Sequence, residues 1–282
     1  MKRAFNITFN VMSLARSQRR ALKKQKNDAI EKTLKHGFQP DQTLLQRQTI
    51  ALAAHLIGIL GGNSFRRASD ATEAAMRVLE RSNKTYPFPG LACKKGCSYC
   101  CYLFASASAP ELLLIRRVIE ALPSQSRNLI IKQIEDAPRL DEEGRWANVI
   151  ACSLLISAEC SVYRARPFNC RRVTSVNVKE CISTFERTDD ATDEVPYPAV
   201  PMMFADSAKF ALSAALYAHK LSYHSYDINS AIKILMSIEN AEARWLAGEN
   251  IFSGAIIDGP EIIDEDHPYD AYIIEIAEIA SQ

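Results

Sequence analysis

Cys93-Lys94-Lys95-Gly96-Cys97-Ser98-Tyr99-Cys100-Cys101 places four thiols within nine residues. The other four cysteines follow at Cys152, Cys160, Cys170 and Cys181, so all eight in the 282-residue chain fall between positions 93 and 181. The 92 residues before this window and the 101 after it hold none. Cysteines that only fill a core scatter with the other small apolar residues. Thiols confined in this way point instead to one region that uses sulfur. Closely spaced cysteines around a bend, here at Gly96, can converge on one cation. Soft thiolates select zinc or iron–sulfur clusters rather than magnesium or calcium. The adjacent pair Cys100-Cys101 cannot easily aim both side chains at one small ion. The two are therefore expected to serve different ions, or to divide into one ligand and one packing or reactive thiol.

The second set has wider spacing. It reads Cys152, then Cys160-Ser161-Val162-Tyr163-Arg164-Ala165-Arg166-Pro167-Phe168-Asn169-Cys170-Arg171-Arg172, then Cys181. Four plus four thiols could complete two tetrahedral sites, or one iron–sulfur cubane with spare ligands. Eight thiolates around two divalent ions would leave a local charge of about −4, from −8 and +4. Lys94, Lys95, Arg164, Arg166, Arg171 and Arg172 stand beside the cysteines and can offset it. Arg166 and Arg171, flanking Pro167 and Cys170, are the better candidates for fixed contacts.

This segment, residues 86–185, resembles the YkgJ-like cysteine-cluster family, a proposed zinc- or iron-chelating domain named for its CxxCxxCC motif. Cys93, Cys97, Cys100 and Cys101 carry the likeness in the first motif. In the second it rests on Cys152, on Cys160-x-Val162-Tyr163-x-x-Arg166-Pro167-x-x-Cys170-Arg171 and on Cys181. One departure is the three-residue gap between Cys93 and Cys97, where the family name implies two. The resemblance implies that all eight cysteines are metal ligands, for zinc or for an iron–sulfur cluster, [4Fe-4S] if iron. Some members are linked to flagellin lysine methylation, so the resemblance also raises an iron–sulfur metalloenzyme acting on a protein substrate as the alternative. Cys93-x3-Cys97-x2-Cys100, with Tyr99, matches the radical-SAM signature as well. That signature normally follows the first strand of a β/α barrel, whereas TYPFPGLA upstream does not read as a strand and no βα series follows. Nor does a Gly-rich dinucleotide turn follow any expected strand.

Outside the cysteine window the texture is helical. The spacing of apolar residues predicts helices over 12–35, 41–60 (Asp41 as N-cap, Gly61-Gly62 as stop) and 64–82 (Ser64 as cap). Ser108-Ala109-Pro110-Glu111 reads as a helix start running to Leu122, followed by a helix from Ser124 to Ala137. A polar loop is expected over 138–150, short irregular segments over 152–181, and an exposed connection over 186–201. Helices are expected again over 203–222, 227–247 and 269–280. The chain is thus expected to be mainly α, with an irregular cysteine-rich metal-binding core surrounded by helices. Three regions follow: a basic N-terminal helical region (1–85), the cysteine-cluster domain (86–185), and a C-terminal helical region with an acidic tail (186–282).

Charge narrows the partners. The formal net charge is +1. The first 40 residues nevertheless carry ten Lys/Arg against two Asp/Glu, and residues 257–282 carry eight acidic residues and no Lys or Arg. The basic run at Arg16, Arg19, Arg20, Lys23, Lys24 and Lys26 lacks interleaved aromatics, so a solvated helical face is expected rather than a nucleic-acid site. The apolar run Ile50–Leu60, interrupted by His55, is far short of the ~20 residues a membrane helix needs. The start is too polar for a secretory signal. A cytoplasmic location follows, where thiols stay reduced and dense cysteines bind metal rather than pair. Among the five histidines, His55 is expected in the core, His36 near a helix end and His267 in solvent. His219 and His224 are expected in surface or core roles rather than as ligands.

Overall fold

Leu52, Ala53, Leu56 and Leu60 recur at helical spacing, and all four are buried on one side of helix α1 (Gln42–Leu60). His55 falls on the opposite, exposed side and so leaves the core position expected of it. The computed structural model describes residues 42–186, 198–258 and 267–282, all within one compact unit. The helix expected over 12–35, the basic run, His36, the Asp41 cap and most of the 186–201 connection lie outside the described residues.

Helix α2 (Arg67–Thr85) buries Ala68, Ala71, Ala75 and Leu79, as its periodicity requires. It starts later than Ser64 would set it. The Ser64 hydroxyl accepts from the Arg66 amide at 3.1 Å and so forms a turn ahead of the helix rather than its cap. Helix α3 (Ala109–Glu120) begins where Ser108 and Glu111 place it. The Glu111 carboxylate accepts from the Ser108 amide at 2.8 Å, which is the backward half of a capping box. Helix α4 (Ser124–Asp136) follows, with Ile130 and Ile134 inward.

The expected loop over 138–150 is instead helix α5 (Glu142–Asn148). Asp141 accepts from the Gly144 amide at 2.8 Å, and Glu142 and Glu143 occupy the first turn, where the helix dipole favours acid. Strands β2 (Leu155–Ile156) and β3 (Glu159–Cys160) form a hairpin turned by Ser157 and Ala158, both at positive φ (49° and 62°). Two short helices complete the cysteine segment, α6 (Phe168–Arg172) and α7 (Val178–Glu186).

Helix α8 (Ala199–Ala218) is the hub. Its buried face is largely alanine (Ala205, Ala208, Ala211, Ala215), which lets α1, α2 and α6 approach closely. The single helix expected over 227–247 is two, α9 (Ile228–Met236) and α10 (Ala241–Leu246), parted where Asn240 takes a left-handed φ of 51°. Helix α11 (Pro268–Ala280) packs on α1 and α8, with Ile273 and Ile276 inward.

Three short strands form an antiparallel sheet. Strand β1 (Ser106–Ser108) pairs with β4 (Ser225–Asp227), Ala107 opposite Tyr226, and β4 pairs with β5 (Ile257–Asp258). Every strand pair among the described residues is antiparallel, so no β/α barrel forms there. No described helix is long and apolar enough to cross a membrane.

The chain is mainly helical, as expected, but the core is not cysteine-rich. It is an apolar helical core, and all eight cysteines are intermediate in burial. Cys152, Cys160 and Cys170 pack against its side. The reason is volume: a core centred on α8 is filled by Leu, Ile and Ala from six or more helices, and the short cysteine segments reach only its edge.

Candidate metal centre

The eight sulfurs reach one side of the molecule from six different segments. Cys93 and Cys97 flank Gly96, which takes φ of 89° where an L side chain would be strained. Cys100 and Cys101 lie in a single 3₁₀ turn, Tyr99–Tyr102. The rings of Tyr99 and Tyr102 pack on Phe185 of α7, centroids at 5.7 and 4.7 Å, and so fasten this turn to the helix that carries Cys181. The Cys152 amide donates to the Cys101 carbonyl at 2.8 Å, tying the second set to the first. Cys160 ends the hairpin on β3, and Cys170 sits in α6.

Ser175 joins two more. Its amide donates to Cys93 Sγ at 3.2 Å, its carbonyl accepts from the Ala92 amide at 2.9 Å, and its hydroxyl, which donates to the Asn177 carbonyl at 3.2 Å, lies beside Cys181. Cys93, Cys97, Cys100 and Cys181 together line a small chamber of about 60 Å³, walled by Tyr99, Trp146 and Phe185. Leu103, Trp146 and Thr184 also wall a wider cavity of about 650 Å³, edged by Phe104 and the acidic Asp141, Glu142 and Glu143.

Electrostatics divide the thiols. Burial pushes Cys152 up to about 11, and it raises Cys170 further. Cys93, Cys160 and Cys181 are raised as well, first by burial and then in part by their sulfur neighbours. Cys100 moves the other way, down to about 7, because the Cys101 thiol donates a hydrogen bond to its sulfur and Arg166 lies near. The donation holds the Cys101 proton in place and raises that thiol.

Positive charge and unused donors surround the sulfurs. Arg166 acts on Cys100, Cys160 and Cys170, Arg171 on Cys160, and Arg145 on Cys152. Among the described residues, seven buried side-chain polar atoms lack a hydrogen-bond partner. Five belong to this neighbourhood: Arg145 Nε, Arg166 Nε, Asn229 Nδ2, Thr174 Oγ1 and Thr184 Oγ1. Asn229 reaches it through Ser153, whose amide and hydroxyl bond its Oδ1 at 3.1 and 2.8 Å, and both threonines stand on the chamber wall. A buried donor without a partner costs about 1–3 kcal/mol. Arg145 and Arg171 each meet one carboxylate, Asp227 at 3.5 Å and Glu80 at 3.3 Å, and Arg166 stacks over the Tyr163 ring. Metal-bound thiolates would add negative charge that neutral thiols do not. The donor set therefore fits an anionic thiolate centre. Among the described residues, however, no three His, Cys, Asp or Glu side chains converge as they would on a bound ion. The sulfurs are gathered on one side, not closed on a point.

The other sequence candidates divide. Arg166 and Arg171 face the sulfurs, and Arg171 also donates to the carbonyls of Arg164 and Arg166 at 2.6 and 2.7 Å. Lys95 turns to Glu159 at 3.2 Å and Arg172 to Asp206 at 2.8 Å, while Lys94 and Arg164 are exposed. His219 bonds the Ile57 carbonyl at 2.9 Å and His224 the Ser222 hydroxyl at 3.2 Å, and neither lines the chamber. His267 is exposed and caps α11 through the Tyr269 amide. Sequence reasoning missed Arg145, Trp146 and Asn229. Their one signal was the capping pattern Asp141-Glu142-Glu143, which would have placed Arg145 and Trp146 on a helix. No family model, curated protein or solved structure matches this chain.

Proposed function

We propose that this chain is a metal-binding protein that holds zinc or an iron–sulfur cluster through Cys93, Cys97, Cys100, Cys101, Cys152, Cys160, Cys170 and Cys181. The observation that carries the reading is the ring of unpaired buried donors and guanidinium groups around the sulfurs. Metal-bound thiolates accept N–H and O–H hydrogen bonds and supply the negative charge these groups face. The cysteine pattern, with its resemblance to the YkgJ-like chelating family, supports the same reading. Closure of the sulfurs on an ion belongs to the proposal, since four thiolates at Zn–S distances of about 2.3 Å must draw together.

A second reading has one observation in its favour. The cavity of about 650 Å³ beside the cysteine chamber is large enough for a small molecule or a substrate side chain. On that reading the metal is the centre of an iron–sulfur enzyme, of protein-methylase-like or radical-SAM-like activity, acting on a protein or small substrate. The antiparallel sheets speak against a radical-SAM barrel.

Anaerobic purification with metal and sulfide analysis tests both. Stoichiometric zinc in a colourless protein, or iron with sulfide and broad absorbance near ~400 nm, is the expected result. A preparation with neither, and with eight freely titrating thiols, would sink the metal-binding reading.

A further inference from the structure

We propose that the eight cysteines form two separate four-sulfur sites. The inner site is Cys101, Cys152, Cys160 and Cys170, set against the helical core. The outer site is Cys93, Cys97, Cys100 and Cys181, opening through the Trp146 chamber. The proposal rests on the metal-binding reading above and assigns each thiol within it.

Packing makes the division. Cys152, Cys160 and Cys170 contact the apolar core, and the backbone bond from Cys152 to the Cys101 carbonyl brings the fourth member to them. The other four line one chamber, and Ser175, on the same wall, donates its amide to Cys93 Sγ at 3.2 Å. The adjacent Cys100 and Cys101 thus fall on different sides: Cys100 borders the chamber, and Cys101 does not. Cys93 and Cys181 each lie near Cys97 and Cys100, and Cys101 lies near Cys152 and Cys160, while Cys100 stands between the two sets, near Cys160 and Cys170 as well. The contact between the Cys100 and Cys101 sulfurs makes the two sites abut.

Four of the unpaired donors divide in the same way. Arg145 Nε and Asn229 Nδ2 are buried beside the inner set, and Thr174 Oγ1 and Thr184 Oγ1 stand on the chamber of the outer set, while Arg166 lies between them, beside Cys100, Cys160 and Cys170. The inner site therefore meets fixed cationic and amide donors inside the protein, and the outer site meets hydroxyls beside an opening. A thiophilic divalent ion in the inner site would act as part of the fold. One in the outer site would exchange with solvent and remain within reach of whatever enters the wider cavity.

The test uses the full chain loaded anaerobically with Co(II), whose thiolate charge-transfer absorption counts tetrahedral sulfur sites. Wild type should hold two ions and lose them to EDTA in two phases. Cys93→Ser and Cys181→Ser should each lose the fast-releasing ion, keep the other, and melt close to wild type. Cys170→Ser and Cys152→Ser should lose the slow-releasing ion and melt lower. If these two do not fold, Cys101→Ser and the two-phase release of wild type decide the question. One ion per chain, release in a single phase, or loss of all metal in Cys181→Ser would overturn the division while leaving metal binding in place. No Co(II) bound by wild type would overturn both.

Discussion

Arg145 and Asp227 form an ion pair inside the protein, Nη2 to Oδ1 at 3.5 Å, with side chains only 2% and 3% exposed. Asp227 also accepts from the Ser230 amide at 2.8 Å, capping α9, and Cys152 lies within range of both charges. The pair therefore links three elements that are distant in sequence: α5, the β4–α9 junction and the second cysteine set. Removing one partner strands the other charge. Arg145→Met is expected to destabilise the metal-free protein by about 3–5 kcal/mol, read as a lower urea midpoint. Adding Asp227→Asn should recover part of that loss. A double variant no better than the single one would show that the stranded carboxylate is not the source of the cost.

Glu111 carries a second such junction. One carboxylate oxygen accepts from the Ser108 amide and hydroxyl at 2.8 and 2.6 Å, and the other accepts from the Phe168 amide at 2.8 Å. The start of α3 is thereby joined to the start of α6, two residues before Cys170. Glu111→Ala frees three donors, two of them backbone amides, and should cost about 2–3 kcal/mol. Glu111→Gln keeps one carbonyl oxygen and should cost less. Urea unfolding ranks the two, and alkylation of Cys170 in the metal-free protein should be faster in the alanine variant if the junction holds α6 in place.

How much of this was legible in the sequence depends on where the signal lay. Ser108 and Glu111 announce a helix by local chemistry alone, and the helix begins at Ala109 as they require. Ser64 carries the same residue type but spends its hydroxyl on Arg66, a choice made by the turn before α2. Helix α5 was hidden because Arg145 is its only buried side chain. A helix that buries an arginine against a distant aspartate has no apolar stripe to betray it. Residues 227–247 have a continuous helical texture, but Asn240 turns left-handed and divides them. The gathering of the cysteines was plain from their confinement. Their surroundings were not, because Trp146, Asn229 and Ser175 come to them only through tertiary packing.

Cys100 makes the reactivity of the metal-free protein depend on pH. Its thiol is lowered from an ordinary 9.0 to about 7, while Cys152 is raised to about 11. Only the thiolate attacks an alkylating reagent. Labelling at Cys100 should therefore climb between about pH 6 and 8 and then level, with Cys152 scarcely labelled below about pH 9. The stability that ionised Cys100 contributes is complete above its unfolded value near 9 and is lost as pH falls through about 7. Cys152 works in the opposite sense: its contribution is complete below 9 and is lost as pH rises through about 11. A brief iodoacetamide pulse followed by peptide mass mapping measures the order. Cys101→Ala removes the donor and should shift the Cys100 midpoint upward.

Trp146 offers a direct report of loading. It is one of two tryptophans, and it walls the chamber formed by Cys93, Cys97, Cys100 and Cys181, whereas Trp245 is buried in α10. In a Trp245→Phe background all tryptophan emission comes from Trp146. Binding of Co(II) or iron at the chamber should quench that emission, because a coloured thiolate complex a few ångströms from an indole drains its excited state. Zinc, which has no such absorption, should shift the emission without comparable quenching. Cys181→Ser should abolish the Co(II) response. A response that survives Cys181→Ser would place the bound ion away from this chamber.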